Sequence, residues 1–290
     1  AARPGNNSVI FTNNDSAYFA AEDLLKNGVK VIAIVDTRNK KNQIAENLNN
    51  KGVEIILNSA VVDVKGTKHI SGVLISKFNP HLEKLNSSEK FRNIGCDLLC
   101  VSGGWNPVIH LHSQSGGKLK YNEEYACLVP KSSFQKSQVI GSANGSFTLQ
   151  NCLNEGLQSV KNILKELGKT EEINLSSPKC STKQDEIAMM PVWNIPSKNI
   201  RSKKFIDYFN DVTAKDVSLA VQEGYVSVEH FKRYTTTGMG IDQGKTGNIN
   251  ALALLAKETG SSITNVGTTT YRPPFTPITF GALSGGRVEN

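Results

Sequence analysis

The chain has 290 residues, a formal net charge of +7 and a sequence pI near 9.1. Its length suits two domains of roughly 100–200 residues. An apolar fraction of 38% excludes a disordered or fibrous chain. The basic balance favours anionic partners. Positive charge nevertheless comes only in doublets such as Lys40-Lys41, Lys203-Lys204 and Lys232-Arg233, so no nucleic-acid partner is expected. Five cysteines, none in a Cys-x-x-Cys pair, argue against a disulfide framework and fit a cytoplasmic location. No apolar run is long enough to cross a bilayer, and no membrane partner is expected. The chain opens AARPGNNS, with no Met and no leader pattern, and is expected to come from a longer protein.

Residues 8–12 read as a strand and 17–27 as a helix stopped by Gly28. Residues 30–35 are a continuous apolar strand of the kind covered on both faces. A helix over 42–50 and a strand over 53–57 complete a β-α-β-α-β unit, a doubly wound α/β fold. The first β-α turn, Thr12 to Ala17, has none of the glycines that let a backbone approach a pyrophosphate, and Asp15 puts negative charge there. Asp36, ending the second strand, is placed to grip a ribose. The alternative is a nucleotide-type fold that binds nothing at this turn.

An antiparallel pair over 61–64 and 70–77 follows, then a polar loop over 79–92 and a buried strand over 96–101. A short strand over 138–140 leads to Gly141-Ser142-Ala143-Asn144-Gly145, and 147–167 reads as a helix. This order resembles the second half of the flavoprotein fold shared by disulfide reductases. Residues 97–107 and 139–145 match the segments that return to that fold's first domain. The resemblance implies that the first domain precedes residue 1. It also makes Gly141, Ala143, Thr148 and Gln150 candidate NAD contacts, against the plain reading of a strand–helix turn. Residues 1–168 thus form the expected nucleotide-fold domain, and 169–200, polar with three prolines, a linker. The apolar cluster Met189-Met190-Pro191-Val192-Trp193 inside it is expected to dock on a neighbouring surface.

Residues 201–283 read as a small helical domain. Thr213-Ala214-Lys215-Asp216 is a capping signature, Ser227 caps a helix over 228–234, and Asn248 is expected to cap one over 249–259. The spacing resembles the bacterioferritin-associated ferredoxin module. On that pattern the four cysteine positions fall on Asp207, Phe209, Asp242 and Gly247, so no iron–sulfur cluster is expected. Arg233, Lys245 and Arg272 lie among threonines and glycines. These are the groups that hold a phosphate or a subunit contact, although a solvated basic face reads equally well. His110 and His112 lack a third ligand, so no metal is expected. No catalytic residue set stands out.

Several runs are specific: Asn210-Asp211-Val212-Thr213, Lys232-Arg233-Tyr234-Thr235-Thr236, Asp242-Gln243-Gly244-Lys245 and Thr270-Tyr271-Arg272-Pro273-Pro274. Together with Ser102-Gly103-Gly104-Trp105-Asn106-Pro107 they resemble the α subunit of heterotetrameric sarcosine oxidases. That resemblance implies an enzyme oxidising N-methylglycine to glycine, with electrons passing from FAD to FMN to oxygen. The one-carbon unit goes to tetrahydrofolate or leaves as formaldehyde. It implies β, γ and δ subunits as partners, with FMN near the contact with β. NAD is expected in the complete subunit, and no cofactor on this segment alone. Residues 284–290 would begin a folate domain. The alternative readings are a subunit of an NAD- or flavin-dependent amino-acid or opine dehydrogenase, and a basic nucleic-acid-binding module.

Overall fold

The computed structural model describes residues 2–39, 42–85, 90–169, 176–181, 188–197, 202–273 and 276–286. Lys40, Lys41, Pro274, Phe275, much of the expected linker and residues 287–290 lie outside these. Two compact units emerge. One comprises Ala1–Trp105, Glu124–Ala126 and Glu186–Ser202; the other comprises Asn106–Glu123, Cys127–Asp185 and Lys203–Asn290. The first unit's opening stretch ends at Trp105.

The first unit runs β1 (Asn7–Thr12), α1 (Ser16–Lys26), β2 (Lys30–Asp36), α2 (Gln43–Asn50), β3 (Glu54–Ile56), β4 (Ser59–Gly66), β5 (Ile70–Asn79), β6 (Lys84–Leu85), β7 (Arg92–Ile94) and β8 (Leu98–Ser102). Its main sheet is parallel in the order β3-β2-β1-β8, with Ile10 paired to Ile34 on one side and Cys100 on the other. β1 and β2 send side chains into two different cores, and the irregular pairing at Ser8/Val9 breaks strict alternation between Val31 and Ala33. Ile10, Val31 and Ile34 pack with Tyr18, Ala21 and Leu48 of the helices. Val9, Ala33 and Val35 pack with Val73 and Ile75 of the antiparallel β4–β5 pair. Both faces are covered, which is why these strands are apolar without alternation.

Sequence and structure differ at two places here. Asn42 is the N-cap of α2, its side chain accepting the Ala45 N–H at 2.7 Å, and not a helical residue. The expected loop over 79–92 contains β6, and Arg92 opens β7, which pairs with β5. Its polar side chains hide an edge strand that needs only backbone partners. Within 188–197, Val192 and Ile195 pack against Ala60, Val62 and Phe78, and Glu83 accepts the Trp193 N–H at 2.7 Å. The expected docking of this cluster is thus onto the first unit.

The second unit holds α3 (His110–Gln114), the hairpin β9 (Lys118–Asn122) and β10 (Cys127–Ser132), and α4 (Leu149–Glu166). It continues with β11 (Phe205–Asp207), β12 (Val212–Thr213), α5 (Ala214–Gln222), α6 (Val228–Thr235), α7 (Asn248–Glu258), α8 (Ile263–Val266) and α9 (Phe280–Ser284). The expected strand over 138–140 is absent. Ile140 is half exposed with no ladder beside it, and a 3-10 turn follows at Gly141–Asn144. The β9–β10 hairpin escapes a sequence reading because lysines and Pro130 interrupt it. α5 is closed by a capping box in which Asp216 accepts the Thr213 N–H at 2.7 Å. α7 is apolar almost all round and buried from Ile249 to Ala256 except Asn250. Asn248 is its first helical residue, not its cap: Gly247 caps, and the Asn248 amide reaches Thr269.

Candidate functional site

A basic cavity of about 650 Å³ opens in the second unit between the end of α6, the Gly238–Gln243 turn, Thr270–Arg272 and the pair Pro277 and Ile278. Ser227 starts α6 by accepting the His230 N–H, and buried Phe231 fixes the helix on its core. Lys232 and Arg233 therefore fall in the last turn, where the helix dipole favours cations. Thr236 then takes a left-handed conformation (φ 63°) and turns the chain into Gly238-Met239-Gly240. Across the cavity stands Arg272. Met239, Ile241 and Ile278 supply an apolar rim.

Burial lowers the Lys232 ammonium pKa, and Arg272 and Arg233 push it further down; Glu229 opposes them. Glu229 is already engaged, 3.5 Å from Arg233 and accepting the Thr270 N–H at 3.2 Å. Three cations with one committed carboxylate, beside glycine backbone, form a place for an anion. Of the residues expected to bind phosphate, Arg233 and Arg272 line this cavity. Lys245 is not among its lining residues. It lies near His110, whose pKa is pushed down to about 4 by burial and then by Lys245, against Asp242. Lys232 was visible in the sequence only as half of a basic doublet; the helical phase that turns it inward is the signal for it.

The four positions of the ferredoxin pattern have other uses. Asp207 is buried, and its carboxylate accepts the N–H groups of Phe209 (2.9 Å), Asn210 (3.0 Å) and Gly238 (2.7 Å). Asp242 accepts from Gly244 N–H at 3.2 Å and the Thr246 hydroxyl at 3.3 Å. The Phe209 side chain is half exposed. At Gly247 a Cβ would lie 2.3 Å from the Ile206 carbonyl oxygen, so no side chain fits.

Gly141, Ala143, Thr148 and Gln150 gather at the start of α4. Thr148 caps the helix, the Gly141 N–H donates to Glu155 at 2.7 Å, and the Gln150 side chain bonds Pro178 and Cys180. Ala143 is partly exposed on the turn. In the first unit Asp36 is fully buried, accepting the Tyr18 hydroxyl at 2.7 Å and pairing with Arg38 at 2.7 Å. Burial and then that carboxylate raise the Tyr18 pKa above its ordinary value. The His110 ring packs against Tyr271 at 3.8 Å between centroids, tilted by 44°, and the His112 ring nitrogen meets the Lys118 carbonyl at 3.1 Å. Among the described residues no three His, Cys, Asp or Glu side chains form a metal-holding group.

A Rossmann-like parallel sheet and a small helical module define the chain as an α/β protein. The L-proline dehydrogenase of P. horikoshii has this fold over 97% of the chain and 50% of its own length, with a TM-score of 0.59 at 19% identity. Residues 201–287 match the sarcosine oxidase A3 domain. The chain as a whole is a relative of sarcosine oxidase subunit alpha: it is 39% identical to that of Rhizobium meliloti (strain 1021) over 288 residues, 97% of this chain. The Corynebacterium sp. (strain P-1) subunit is 34% identical over 98% of it. The chain spans 27% and 29% of these two relatives.

Proposed function

We propose that this chain is the central segment of the α subunit of a sarcosine oxidase complex. Its basic cavity takes the phosphate of FMN at the contact with the flavin-bearing β subunit. The carrying observation is the convergence of Lys232, Arg233 and Arg272 on glycine backbone, in a cavity whose single carboxylate is already committed. The apolar rim suits a flavin edge or a partner side chain. In the complex, the flavins supply the redox chemistry that oxidises N-methylglycine to glycine and passes electrons to oxygen. This segment contributes charge and position. On this reading it supplies no catalytic residue, and no iron–sulfur cluster sits at the ferredoxin-pattern positions, where Asp207 is committed to backbone amides and Gly247 has no room for a thiol.

On this reading residues 106–168 complete an upstream domain that binds NAD near Ala143, and a folate domain follows the helical module. The β, γ and δ subunits are the partners, and the complex works in the cytoplasm; no helix of the described residues is long and apolar enough to cross a membrane.

The test is co-expression of the complete α subunit with the other subunits, followed by affinity capture and a flavin spectrum. The expected result is capture of a flavin-bearing β subunit, with reduced FMN incorporation during assembly in Arg233→Ala/Arg272→Ala while capture persists. Full FMN incorporation with an unshifted flavin spectrum in that variant overturns the assignment. Stoichiometric iron and sulfide would instead support a cluster-bearing dehydrogenase subunit.

A further inference from the structure

The first unit has a crevice that the flavin assignment does not use. Open parallel sheets hold ligands outside the carboxyl ends of their strands, where the strand order switches direction. Here that point lies between β1 and β8, which leave the sheet at Thr12 and Ser102. A dinucleotide at such a point needs three things. It needs a first turn open to its pyrophosphate, free amides at the start of α1, and an acidic or basic side chain after β2 for the ribose or its phosphate.

None of the three is available. The first turn is fastened to the end of β8: the Thr12 hydroxyl donates to the Ser102 carbonyl at 3.2 Å, and the Asn14 amide to the same oxygen at 3.1 Å. Asn14 in turn accepts the Ser16 N–H at 3.0 Å, taking an amide at the helix start. The ribose-side groups neutralise one another. Arg38 sits 2.7 Å from Asp36 and 2.8 Å from Asp15, with Asp36 fully buried.

A third segment then lies across the turn. Asn14 and Met189 form an antiparallel bridge. The Met190 N–H donates to the Asn13 carbonyl at 2.9 Å, and the Asp15 N–H to the Ala188 carbonyl at 3.1 Å. Asp15 accepts the Ala188 N–H at 3.2 Å, and Arg38 donates to the Ala188 carbonyl at 2.7 Å. The Met189 side chain fills the space beside Gly104, where a Cβ would come within 2.9 Å of it.

We infer that residues 188–190 are the resident occupant of this crevice: a short strand of the protein's own chain takes the place of a dinucleotide. Asp15, which would repel a phosphate, is the residue that anchors the replacement, and Arg38 bridges it to the sheet. NAD bound by the complete subunit is therefore held elsewhere. The basic cavity shares no residue with the crevice, so flavin phosphate binding and this occupancy are separate properties of the chain.

Hydrogen exchange read by mass spectrometry on the intact, unmodified complex tests it without a variant. Peptides covering residues 10–18 and 188–197 are expected to exchange slowly, and equally with and without saturating NAD or NADP. Nucleotide-induced release of 188–197 with new protection at 12–16 would overturn it. A second arm joins the bridge covalently by Asn14→Cys with Met189→Cys. A fixed occupant leaves the subunit's NAD affinity unchanged when the pair is oxidised. A more than tenfold loss, restored by reductant, would show that the segment must leave for NAD to enter, and would sink the inference.

Discussion

The Asp207 carboxylate accepts the Gly238 N–H at 2.7 Å, joining β11 to the glycine turn that borders the basic cavity. The same side chain holds the Phe209 and Asn210 amides. One buried carboxylate thereby links two loops that are 31 positions apart. Removing it strands donors that are costly to leave unpaired. Asp207→Ala is expected to cost about 2–4 kcal/mol in chemical denaturation, with Asp207→Asn losing less because an amide oxygen still accepts. A change below about 0.5 kcal/mol would show that the two loops are held by other contacts.

Gly247 packs its α-carbon against the Ile206 carbonyl. Gly247→Ala forces backbone apart, and overpacking of this kind costs about 1–3 kcal/mol. Thermal unfolding of the variant beside Thr246→Ala, whose side chain is exposed, isolates the steric effect.

Each arginine of the basic cavity is expected to contribute separately to anion retention. A charge-assisted hydrogen bond is worth about 1.5–3 kcal/mol, so Arg272→Ala should weaken FMN retention by about tenfold or more. Arg233→Ala should do less, because its guanidinium is partly committed to Glu229. FMN titration of complex assembled without FMN, at two salt concentrations, measures both. A pocket indifferent to salt and to both substitutions is not an anion site.

His110 gives the fold a dependence on pH. Burial, with Lys245 nearby, lowers its folded pKa to about 4 from an ordinary value of 6.5. Across that window the unfolded chain binds the extra proton, so stability rises with pH. The His110 contribution is complete above about pH 6.5, falls as pH drops and is lost near pH 4. Its size is on the order of 3 kcal/mol. Stability curves of the protein and of His110→Gln should diverge through that window and run parallel above it. Parallel curves throughout would show that the group titrates as if in water.

The parallel sheet is legible in the sequence because its strands are apolar on both faces and its helices carry simple stops. α5 and α6 are legible through Thr213, Asp216 and Ser227, whose capping bonds are local chemistry. What hides is whatever depends on distant partners. The β9–β10 hairpin carries lysines and a proline, and β7 opens on Arg92. Asn248 has the residue type of a cap, but its amide is claimed by Thr269, and the preceding turn places the helix start at Gly247. At the cavity, Arg233 and Arg272 stand out as basic residues among threonines and glycines. Lys232 needed the helical phase of α6, and the separation of Lys245 from them needed the turn over 242–247. Asp36 shows the same limit: its position at the end of β2 is the binding position, and only the fold reveals that Tyr18 and Arg38 have consumed it.

The partners Asp15 and Ala188 are 173 positions apart in the chain. On a ribosome adding about 5–20 residues per second, the β1–α1 turn is made on the order of 10–30 s before the segment that covers it. Throughout that interval Arg38 and the amides of the turn are within reach of other molecules. The first unit therefore completes its fold only after residues 188–190 have been made, and a nascent chain released before Ala188 carries the turn uncovered.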